Sequence, residues 1–479
     1  MSHHKPDPNK NINLTIDGLP VTVPEGTRIL EAARKVNCRI PTLCDHPDLG
    51  KRAVCRVCVV ECDGRGKLAA ACANDVAEGM KVVTHNARLT LIRKTIVELI
   101  LADHPQECLT CIRSKKCELQ SLAEQLGIRE SAFRHEAQRS GQPVTESLTL
   151  TRDMGKCVKC GRCVEACQEV QNIRAINGSC RSIHYEISAP YGQSLTDGQC
   201  VFCGQCARVC PVGAIYEHDQ SGAAWAALAG GGETAARIDP AIGAAFDEAL
   251  GLPSGTVSGE KLVTALKRLG FGKVYDANFS ASTAAAAICE ELLRRIGQGR
   301  QPEKPQLPLI TGCWGGLSKF VENCGGDLAA LVYQWDSKAH GCENTVAISP
   351  CLAKKYNAPE MTLTVREIAR MFTLAGIELS SLSESPFDEA AGKSGEAPKL
   401  ADFHPAEGMD GVEKAQVSFM GSTLQLLTVH GLANARKMLD FIRKGECKAA
   451  FVEILCCPDN SGGCGSIGAY LPEILHKNG

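Results

Sequence analysis

Apolar residues recur at two different spacings along the chain, and the change of spacing predicts its elements. Near the start, NLTIDG and VTVPEG alternate apolar with polar residues, as strands do. TRILEAARKVN has the three-to-four-residue spacing of a helix that Thr27 would cap. From about Asn86 the run LTLIRKTIVELILADH is helical again. The first part of the chain is therefore predicted to fold as strand, turn, strand and helix, followed by a longer helix.

In the second half of the chain, short apolar runs alternate with helical segments such as ANARKMLDFIRKG. The runs predicted as strands are KVYDAN, PLITGC, TVAISPC, VSFMG, LQLLTVHG and KAAFVEILCC. Strands that alternate with helices predict parallel sheets, whose chemistry lies in the loops at the strand ends. Three of these strands end in cysteines. The Ala- and Gly-rich stretch SGAAWAALAGGGET, which begins at Ser221, is predicted to be the join that precedes this part.

Composition narrows the classes of function. The chain has 479 residues, enough for several domains. A net charge of −2 with 22% charged residues gives no basic surface for nucleic acid or anionic lipid. No apolar run reaches the ~18 to 20 residues of a membrane span. The polar start MSHHKPDPNKNIN lacks the apolar core of a signal peptide, so we expect a cytoplasmic protein.

The 27 cysteines decide the class of protein. A secreted disulfide scaffold is one explanation, but such scaffolds are short. Here the cysteines come in groups with two residues between neighbours, a spacing that lets one loop wrap an iron–sulfur cluster. We therefore expect oxygen-sensitive clusters in a reducing compartment.

The first group has the spacing Cys44-x10-Cys55-x2-Cys58-x13-Cys72. It resembles the plant-type ferredoxin family, and the resemblance implies a [2Fe–2S] cluster on these four thiolates. Cys38 and Cys62 fall outside the pattern and are interpreted as ordinary buried thiols.

The second group is His104-x3-Cys108-x2-Cys111-x5-Cys117. One histidine and three cysteines also suit tetrahedral zinc, which is the alternative explanation. The order of the four residues, after a ferredoxin-like segment, is similar to the His/Cys3 [4Fe–4S] module shared by hydrogenases and respiratory complex I. That resemblance favours a cluster, and a neutral imidazole in place of a thiolate would raise its reduction potential.

Two runs of identical spacing follow, Cys157-x2-Cys160-x2-Cys163-x3-Cys167 and Cys200-x2-Cys203-x2-Cys206-x3-Cys210. In bacterial two-cluster ferredoxins the fourth cysteine of each run binds the other cluster. The expected [4Fe–4S] ligand sets are Cys157, Cys160, Cys163 and Cys210, and Cys200, Cys203, Cys206 and Cys167. Cys180 is left over and is predicted to be structural.

Residues 12 to 479 together resemble the catalytic subunit of multi-subunit, NAD-linked [FeFe]-hydrogenases, and the part before residue 220 also resembles the large iron–sulfur subunit of complex I. The resemblance rests on ITGCWGG, SPCLAKK and VEILCCPDNSGGCG and on the sequence around them. It implies an α+β multidomain chain. The expected divisions are a [2Fe–2S] ferredoxin-like domain (1–85), a His/Cys3 module (86–140), a two-[4Fe–4S] ferredoxin domain (141–220), a linker (221–240) and an α/β hydrogenase-like domain (241–479).

Each signature segment departs from the family pattern. In the family the first is Thr-Ser-Cys-Cys-Pro, whose first cysteine relays protons and whose second binds the cluster. Here Cys313 falls on the relay position and Trp314 on the ligand position, and indole cannot bind iron. In the second segment Cys351 matches a cluster ligand and Lys354 matches the lysine that holds a cyanide of the diiron unit. Ser349 replaces a methionine that packs beneath that unit.

The third segment and an earlier helix depart further. Cys457 matches a cluster ligand, but Ser461 stands where a thiolate bridges to the diiron unit. Ile288 replaces a proton-relaying glutamate, and isoleucine carries no exchangeable proton. These differences predict that the diiron unit and its hydrogen chemistry are absent.

One more [4Fe–4S] cluster could still form on the surviving cysteines. The expected ligands are Cys313, Cys351, Cys457 and Cys464, with Cys456 as a rival to Cys457. The alternative is that these are buried thiols without a cluster. If a hydrogenase site survives, Cys313 and Lys354 are the candidate catalytic residues.

The leading hypothesis is an iron–sulfur electron-transfer subunit of an NADH-linked oxidoreductase complex, of a kind that can bifurcate electrons. The sequence contains no Gly-rich dinucleotide fingerprint. The resemblance therefore implies a partner flavoprotein that binds FMN and NADH, a thioredoxin-like [2Fe–2S] subunit, and ferredoxin or a dedicated reductase. One alternative is an active hydrogenase with a rearranged diiron site. Another is a redox sensor, which no appended signalling domain supports.

Overall fold

The structure, a computed structural model, describes residues 7, 9–63, 67–133, 143–145, 147–239, 242–297, 307–312, 315–333, 345–356, 361–388, 403–419 and 422–458. Within these ranges the chain is a mixed α/β fold with five separate sheets. Among the helices so described, none is long and apolar enough to cross a membrane.

A five-stranded sheet with one helix against it forms the first part. Its elements are β1 (Asn11–Ile16), β2 (Leu19–Pro24), α1 (Ile29–Lys35), β3 (Val59–Cys62), β4 (Lys67–Ala70) and β5 (Lys81–Val83). The strand order is β2-β1-β5-β3-β4, and alternate buried residues of β1 and β2 share one apolar cluster with α1. The predicted strand, turn, strand and helix are confirmed.

The start of α1 differs from the prediction. The helix begins at Ile29 after Arg28, whose backbone N–H donates to the Glu31 carboxylate at 3.2 Å. Thr27 does not cap the helix, because its hydroxyl donates to the Pro24 carbonyl instead.

Two helices follow, α2 (Ala87–Ala102) and α3 (Glu118–Gln125). The Asn86 side chain caps α2 by accepting the Leu89 N–H at 2.8 Å, so the helix predicted from Asn86 is confirmed. The loop between the two helices carries the His104–Cys117 group.

The next part carries the two cysteine runs. Its elements are β6 (Val144–Thr145), β7 (Leu150–Arg152), α4 (Arg162–Glu165), β8 (Asn177–Ser179), β9 (Glu186–Ser188), α5 (Gln205–Arg208) and β10 (Ile215–Glu217). A π-helical turn, Ala166–Val170, continues α4. Strands β7 and β10 pair antiparallel, so the segment that leads into the first run lies beside the segment that leaves the second.

The C-terminal part has two sheets, one of them parallel throughout. Its strands are β11 (Ala235–Ile238), β12 (Lys273–Tyr275), β13 (Leu309–Gly312), β14 (Thr345–Ser349), β15 (Met361–Thr364), β16 (His404–Pro405), β17 (Val412–Phe419), β18 (Ser422–His430) and β19 (Phe451–Leu455). Its helices are α6 (Ser221–Ala229), α7 (Ile242–Leu250), α8 (Gly259–Leu269), α9 (Ala277–Gly297), α10 (Leu317–Gly325), α11 (Val365–Leu374) and α12 (Leu432–Arg443). The parallel sheet has the order β12-β11-β14-β15, and the second sheet has the order β13-β19-β18-β17-β16.

Two features of this part differ from the sequence expectations. The described part of the expected linker, residues 221–239, contains α6 and β11, and β11 is an inner strand of the parallel sheet. Alanine favours helix, and Trp225 and Leu228 of α6 pack against the apolar cluster of that sheet. In the second sheet β17 and β18 form an antiparallel hairpin, because no helix separates them.

Candidate metal centres

The first group of cysteines lies in the loops beside β3 and β4. The sulfur atom of Cys44 shares hydrogen bonds with Cys55 and Cys72, which lowers the pKa of Cys44 to about 2. A hydrogen bond with Cys72 likewise lowers the pKa of Cys58 to about 7. The structure therefore brings all four thiols together. The same hydrogen bonds raise the pKa values of Cys55 and Cys72, so the four sulfur atoms share their protons. A set of four adjoining sulfurs fits a [2Fe–2S] cluster, which would bind them as thiolates.

The leftover cysteines of this region are Cys38 and Cys62. Burial raises the pKa of the Cys62 thiol, and burial followed by a hydrogen bond with Asp17 raises the pKa of Cys38. Neither shift comes from a cysteine of the quartet, in keeping with the interpretation of both residues as ordinary buried thiols.

His104, Cys108, Cys111 and Cys117 line one small cavity. Nδ1 of His104 is buried and has no hydrogen-bond partner among the residues that the structure describes. Burial lowers the pKa of the imidazole, which favours the neutral form that binds metals. An unpartnered buried nitrogen beside three thiols fits a metal centre, and the donor set is compatible with zinc as well as with a [4Fe–4S] cluster.

The two cysteine runs are crossed in space. The quartet Cys157, Cys160, Cys163 and Cys210 lines one cavity. Burial, and then the negative charges of Cys160, Cys210 and Cys157, raise the pKa of Cys163 well above its usual value.

The second quartet shows the same crossing. The pKa of Cys203 is raised well above its usual value by burial first and then by Cys206, Cys167 and Cys200. Each fourth cysteine thus lies with the other run. Buried, mutually repelling thiols lose their protons when bound metal cations neutralise the negative charge of the thiolates. Both quartets therefore fit iron–sulfur clusters.

A further thiol site lies where the two C-terminal sheets end. Cys351 follows β14 by two residues, and Cys456 and Cys457 directly follow β19. Their sulfur atoms lie within 4.8 Å of one another, and all three residues are buried. Loops at the carboxyl ends of parallel strands are a usual place for such sites. Three clustered, buried thiols fit a metal ion or a cluster.

The ligands expected at this site are only partly brought together in the structure. It places Cys351 beside Cys457, whereas Cys313, Trp314, Ser461 and Cys464 lie outside the described residues. Sequence reasoning treated Cys456 as a rival of Cys457, but both approach Cys351. The chain leaves the strand with a bend at Cys456, so two neighbouring residues that would point to opposite faces of a strand lie on one side.

A buried polar group lies beside Cys351. The Lys354 ammonium lies 2.6 Å from one carboxylate oxygen of Asp239, and Arg237 lies 3.3 Å from the other. Burial alone would raise the pKa of Asp239, but the two cations outweigh burial and hold that pKa below its usual value. The Ser349 hydroxyl accepts the Cys351 N–H at 3.0 Å. Sequence reasoning missed Asp239, because nothing near it in the sequence indicates a lysine more than a hundred residues away.

The C-terminal thiols contact the part of the chain that carries the cysteine runs. The Gln205 amide nitrogen lies 3.9 Å from the Cys457 sulfur, and the Gln171 amide donates to the Cys456 carbonyl at 2.8 Å. Cys167, Cys200 and Cys203 pack against the same apolar cluster as Cys351, Cys456 and Cys457.

The N-terminal sites are joined to the runs in the same way. A single apolar cluster contains Cys117 and has Cys55, Cys157 and Cys210 packed against it. A Cβ atom on Gly213 would lie 2.9 Å from the Cys111 sulfur, which shows how closely the backbone after the second run approaches the His104 loop. Fold and sites together define an iron–sulfur protein with several adjoining cluster-binding domains.

Four family models match successive parts of the chain. They are a 2Fe-2S iron-sulfur cluster binding domain (residues 9–87), the NADH-ubiquinone oxidoreductase-G iron-sulfur binding region (93–132), a 4Fe-4S dicluster domain (156–214) and the iron only hydrogenase large subunit, C-terminal domain (233–466). Residues 156–214 are called the dicluster domain below.

Two of the relatives align over nearly the whole chain, and a third aligns over less than half of it. The chain is 35% identical to the NADP-reducing hydrogenase subunit HndD of Solidesulfovibrio fructosivorans, over 95% of this chain and 87% of that one. Iron hydrogenase 1 of Clostridium pasteurianum is 27% identical over 97% of this chain and 89% of its own length. The NADH-ubiquinone oxidoreductase 75 kDa subunit of Reclinomonas americana is 32% identical over 43% of this chain and 29% of its own length.

The chain belongs to the iron-only hydrogenase large-subunit family. The expected resemblance to hydrogenases and, in the N-terminal part, to the complex I subunit is confirmed. Its relatives are oxidoreductase subunits, as predicted.

Proposed function

We propose that this chain is an iron–sulfur electron-transfer subunit of an NAD(P)-linked oxidoreductase complex, and that it lacks a diiron site and hydrogenase activity. The observation that carries the proposal is the buried Cys351, Cys456 and Cys457 group, which packs against the second quartet of the dicluster domain. A thiol site in contact with a cluster-binding domain is suited to receive electrons from it or to supply electrons to it.

Each cluster is assigned to a ligand set and a domain. The proposed divisions are 1–85, 86–140 and 141–220 for the N-terminal domains, with the hydrogenase-like domain beginning at α6. A [2Fe–2S] cluster is assigned to Cys44, Cys55, Cys58 and Cys72, and [4Fe–4S] clusters to His104, Cys108, Cys111 and Cys117, to Cys157, Cys160, Cys163 and Cys210, and to Cys200, Cys203, Cys206 and Cys167. The C-terminal [4Fe–4S] cluster is assigned to Cys351, Cys456 and Cys457, with a fourth ligand from Cys313 or Cys464.

Contacts support an order for these clusters. The first quartet shares its apolar surroundings with Cys55 and Cys117, on the N-terminal side. Residues of both quartets surround the apolar cluster that contains Phe202. The second quartet adjoins the C-terminal thiols. The proposed electron-transfer path therefore connects the N-terminal domains, the two quartets of the dicluster domain and, at the other end, Cys351, Cys456 and Cys457.

Two features argue against a diiron site. The Lys354 ammonium, expected to hold a cyanide, is paired with the buried carboxylate of Asp239, and cyanide is itself an anion. Ile288, at the expected proton relay, is fully buried in an apolar cluster. An ion pair and an apolar side chain in these places do not fit the diiron unit, and no hydrogen chemistry is assigned to the chain.

The relatives suggest the partners. An NADP-reducing hydrogenase and an NADH-ubiquinone oxidoreductase are named among them, and we propose that a flavoprotein with FMN and a nucleotide site, and a thioredoxin-like [2Fe–2S] subunit, supply electrons here. Ferredoxin or a dedicated reductase would dock near the C-terminal site. The many thiols call for a reducing compartment, so we propose a cytoplasmic location.

Iron content of the reconstituted full-length protein tests the proposal. All five clusters require about 18 irons per chain, and four clusters require about 14. Replacing Cys351 by Ser should remove about four irons and one [4Fe–4S] electron paramagnetic resonance signal while leaving the other signals unchanged. Cys289→Ser is the matched control, since Cys289 is a buried thiol of the same region that lies in a different apolar cluster. A wild-type content near 14 irons, or an unchanged content in Cys351→Ser, would overturn the C-terminal cluster.

The second candidate function is an active hydrogenase, which the near-complete alignment with iron hydrogenase 1 favours. Protein matured together with the diiron assembly proteins would then show carbonyl and cyanide infrared bands and evolve H2 from reduced viologen. We expect neither result.

A further inference from the structure

Gln205 lies between two cluster ligands of the dicluster domain and touches a third cysteine outside it. Together with Gly204 it separates Cys203 from Cys206, and it begins α5. It is buried, with 8% of its surface exposed. The preceding Gly204 is so close to the C-terminal part that a Cβ atom there would lie 2.9 Å from Cβ of Leu352, the residue after Cys351. Contact between the dicluster domain and the C-terminal part therefore fixes the position of Gln205.

Neighbouring groups set the orientation of the Gln205 amide. Its oxygen accepts a hydrogen bond from the Arg208 guanidinium at 3.5 Å, and guanidinium can only donate. Its nitrogen consequently faces the Cys457 sulfur, 3.9 Å away. Arg208 is held in turn by Asp48, at 3.6 Å. The amide is thus arranged to donate an N–H to sulfur.

We propose that Gln205 is a positioning residue that donates a hydrogen bond to the Cys457 thiolate and raises the reduction potential of the C-terminal cluster. The inference rests on the proposed function, because it requires a cluster at Cys351, Cys456 and Cys457. The physical reason is that reduction adds negative charge to a cluster and its sulfur ligands. A donor aimed at one of those sulfurs stabilises the reduced form more than the oxidised form.

The potential of the C-terminal cluster would then depend on the domain beside it. The donor comes from the loop that holds Cys203 and Cys206, so the position of that loop sets the distance from the amide to the Cys457 sulfur. A second amide of the dicluster domain, from the fully buried Gln171, fixes the backbone of the neighbouring ligand Cys456 and thereby keeps the sulfur within reach.

A redox titration of the full-length, reconstituted protein tests the inference. The C-terminal signal is first identified as the one absent from Cys351→Ser. In Gln205→Leu, which keeps the volume but removes the donor, that signal should move to more negative potential. The expected shift is about tenfold in the reduced-to-oxidised ratio at fixed potential, which is about 59 mV for one electron. Gln205→Glu, which replaces the donor by an anion, should shift the potential further in the same direction.

Gln168→Leu is the matched control. Gln168 follows Cys167 in the same domain, and its amide bonds to Ile176 and Asn177 rather than to the C-terminal site. Its substitution should leave the C-terminal potential unchanged. A full complement of about 18 irons with no shift in either Gln205 variant would overturn the tuning role alone. A wild-type content near 14 irons would overturn the proposed cluster and the tuning role together. If Gln205→Leu does not retain the C-terminal cluster, Gln205→Glu is the test: a more negative potential supports the tuning role, and an unchanged potential overturns it.

Discussion

The two cysteine runs of the dicluster domain offer a comparison within one molecule. Gly161 and Arg162 stand in the first run where Gly204 and Gln205 stand in the second, and both glycines have a φ of +77°. Arg162 is turned toward the N-terminal domains, where it forms an ion pair with Glu118 and donates to the Asp45 carbonyl at 2.7 Å. Gln205 is turned toward the C-terminal domain and Cys457. Equivalent positions in a repeat thus connect the domain to opposite neighbours.

The two connections differ in chemistry. At the N-terminal end the contact is ionic, and the Glu118 side chain remains 46% exposed, so water can replace part of it. At the C-terminal end Gln171 and Gln205 contribute uncharged, buried amide donors. Water can replace part of the Arg162–Glu118 pair, whereas the two buried amides satisfy groups that water does not reach. The C-terminal contact should therefore be more sensitive to substitution.

The largest expected effect concerns the buried ion pair that joins the C-terminal domain to the end of β10. Lys355 and Glu367 have fully buried side chains 2.7 Å apart, and Lys355 also donates to the His218 carbonyl at 2.8 Å. Lys355→Met should lower the free energy of unfolding by about 4 kcal/mol, because it leaves an unpaired buried carboxylate. Denaturant unfolding under anaerobic conditions measures this loss.

Two further variants control that measurement. Adding Glu367→Gln to Lys355→Met should recover part of the stability, since the unpaired charge is then gone and the amide oxygen can still accept a backbone N–H from Thr364 or Gln220. Arg443→Met, which breaks an exposed pair with Asp327, should leave the free energy of unfolding almost unchanged, because water and salt screen the pair. Equal effects of the buried and exposed substitutions would contradict the prediction.

Gln171→Leu should have the next largest effect. The fully buried amide donates to the Cys456 carbonyl and accepts the Leu432 N–H at 3.1 Å. Substitution leaves both backbone groups without that partner, at a cost of about 3 kcal/mol. Hydrogen exchange should become faster at the start of α12 and leave the first sheet unaffected. Unchanged exchange at Leu432 would speak against a coupling between the two domains through this residue.

At the contact with the N-terminal domains, Arg162→Met should lower the free energy of unfolding by about 2 kcal/mol. The loss is smaller because the half-exposed Glu118 regains water, although the Asp45 carbonyl loses a donor. The midpoint of thermal unfolding measures it. A loss as large as that of Lys355→Met would mean that the N-terminal contact is the stronger of the two.

The two glycines allow the finest comparison. Gly161→Ala and Gly204→Ala carry the same backbone strain, because both residues have a left-handed conformation with the same φ. The new methyl group would meet the end of the flexible Arg52 side chain at Gly161, but Cβ of Leu352 at Gly204. Gly204→Ala should therefore lower the free energy of unfolding by about 1 kcal/mol more than Gly161→Ala does. The difference between the two unfolding midpoints is the measurement, and a larger effect at Gly161 would contradict the argument.

Local features of this protein could be predicted from its sequence, and contacts between distant segments could not. Cysteines two or three residues apart must share a loop, so the cysteine groups could be found from spacing, whereas the crossed ligand sets were predicted from the resemblance to two-cluster ferredoxins. The contact between Gln205 and Cys457 joins residues 252 positions apart and depends on how two domains pack. The pairing of Lys354 with Asp239 has the same origin. The approach of both Cys456 and Cys457 to Cys351 depends on a bend just after a strand, which no local pattern indicates.

The contact between Gly204 and Leu352 has a consequence for the biogenesis of the protein. The ribosome releases the dicluster domain well before residues 345–458, and N-terminal domains fold first. We expect the loop with Cys203 and Cys206 to be uncovered during that interval, because Leu352 and Cys457, which contact Gly204 and Gln205 of this loop, are synthesised later. Loading of the proposed cluster on that quartet would then precede closure of the last domain. Repair of that cluster after oxidation would require the two domains to separate again.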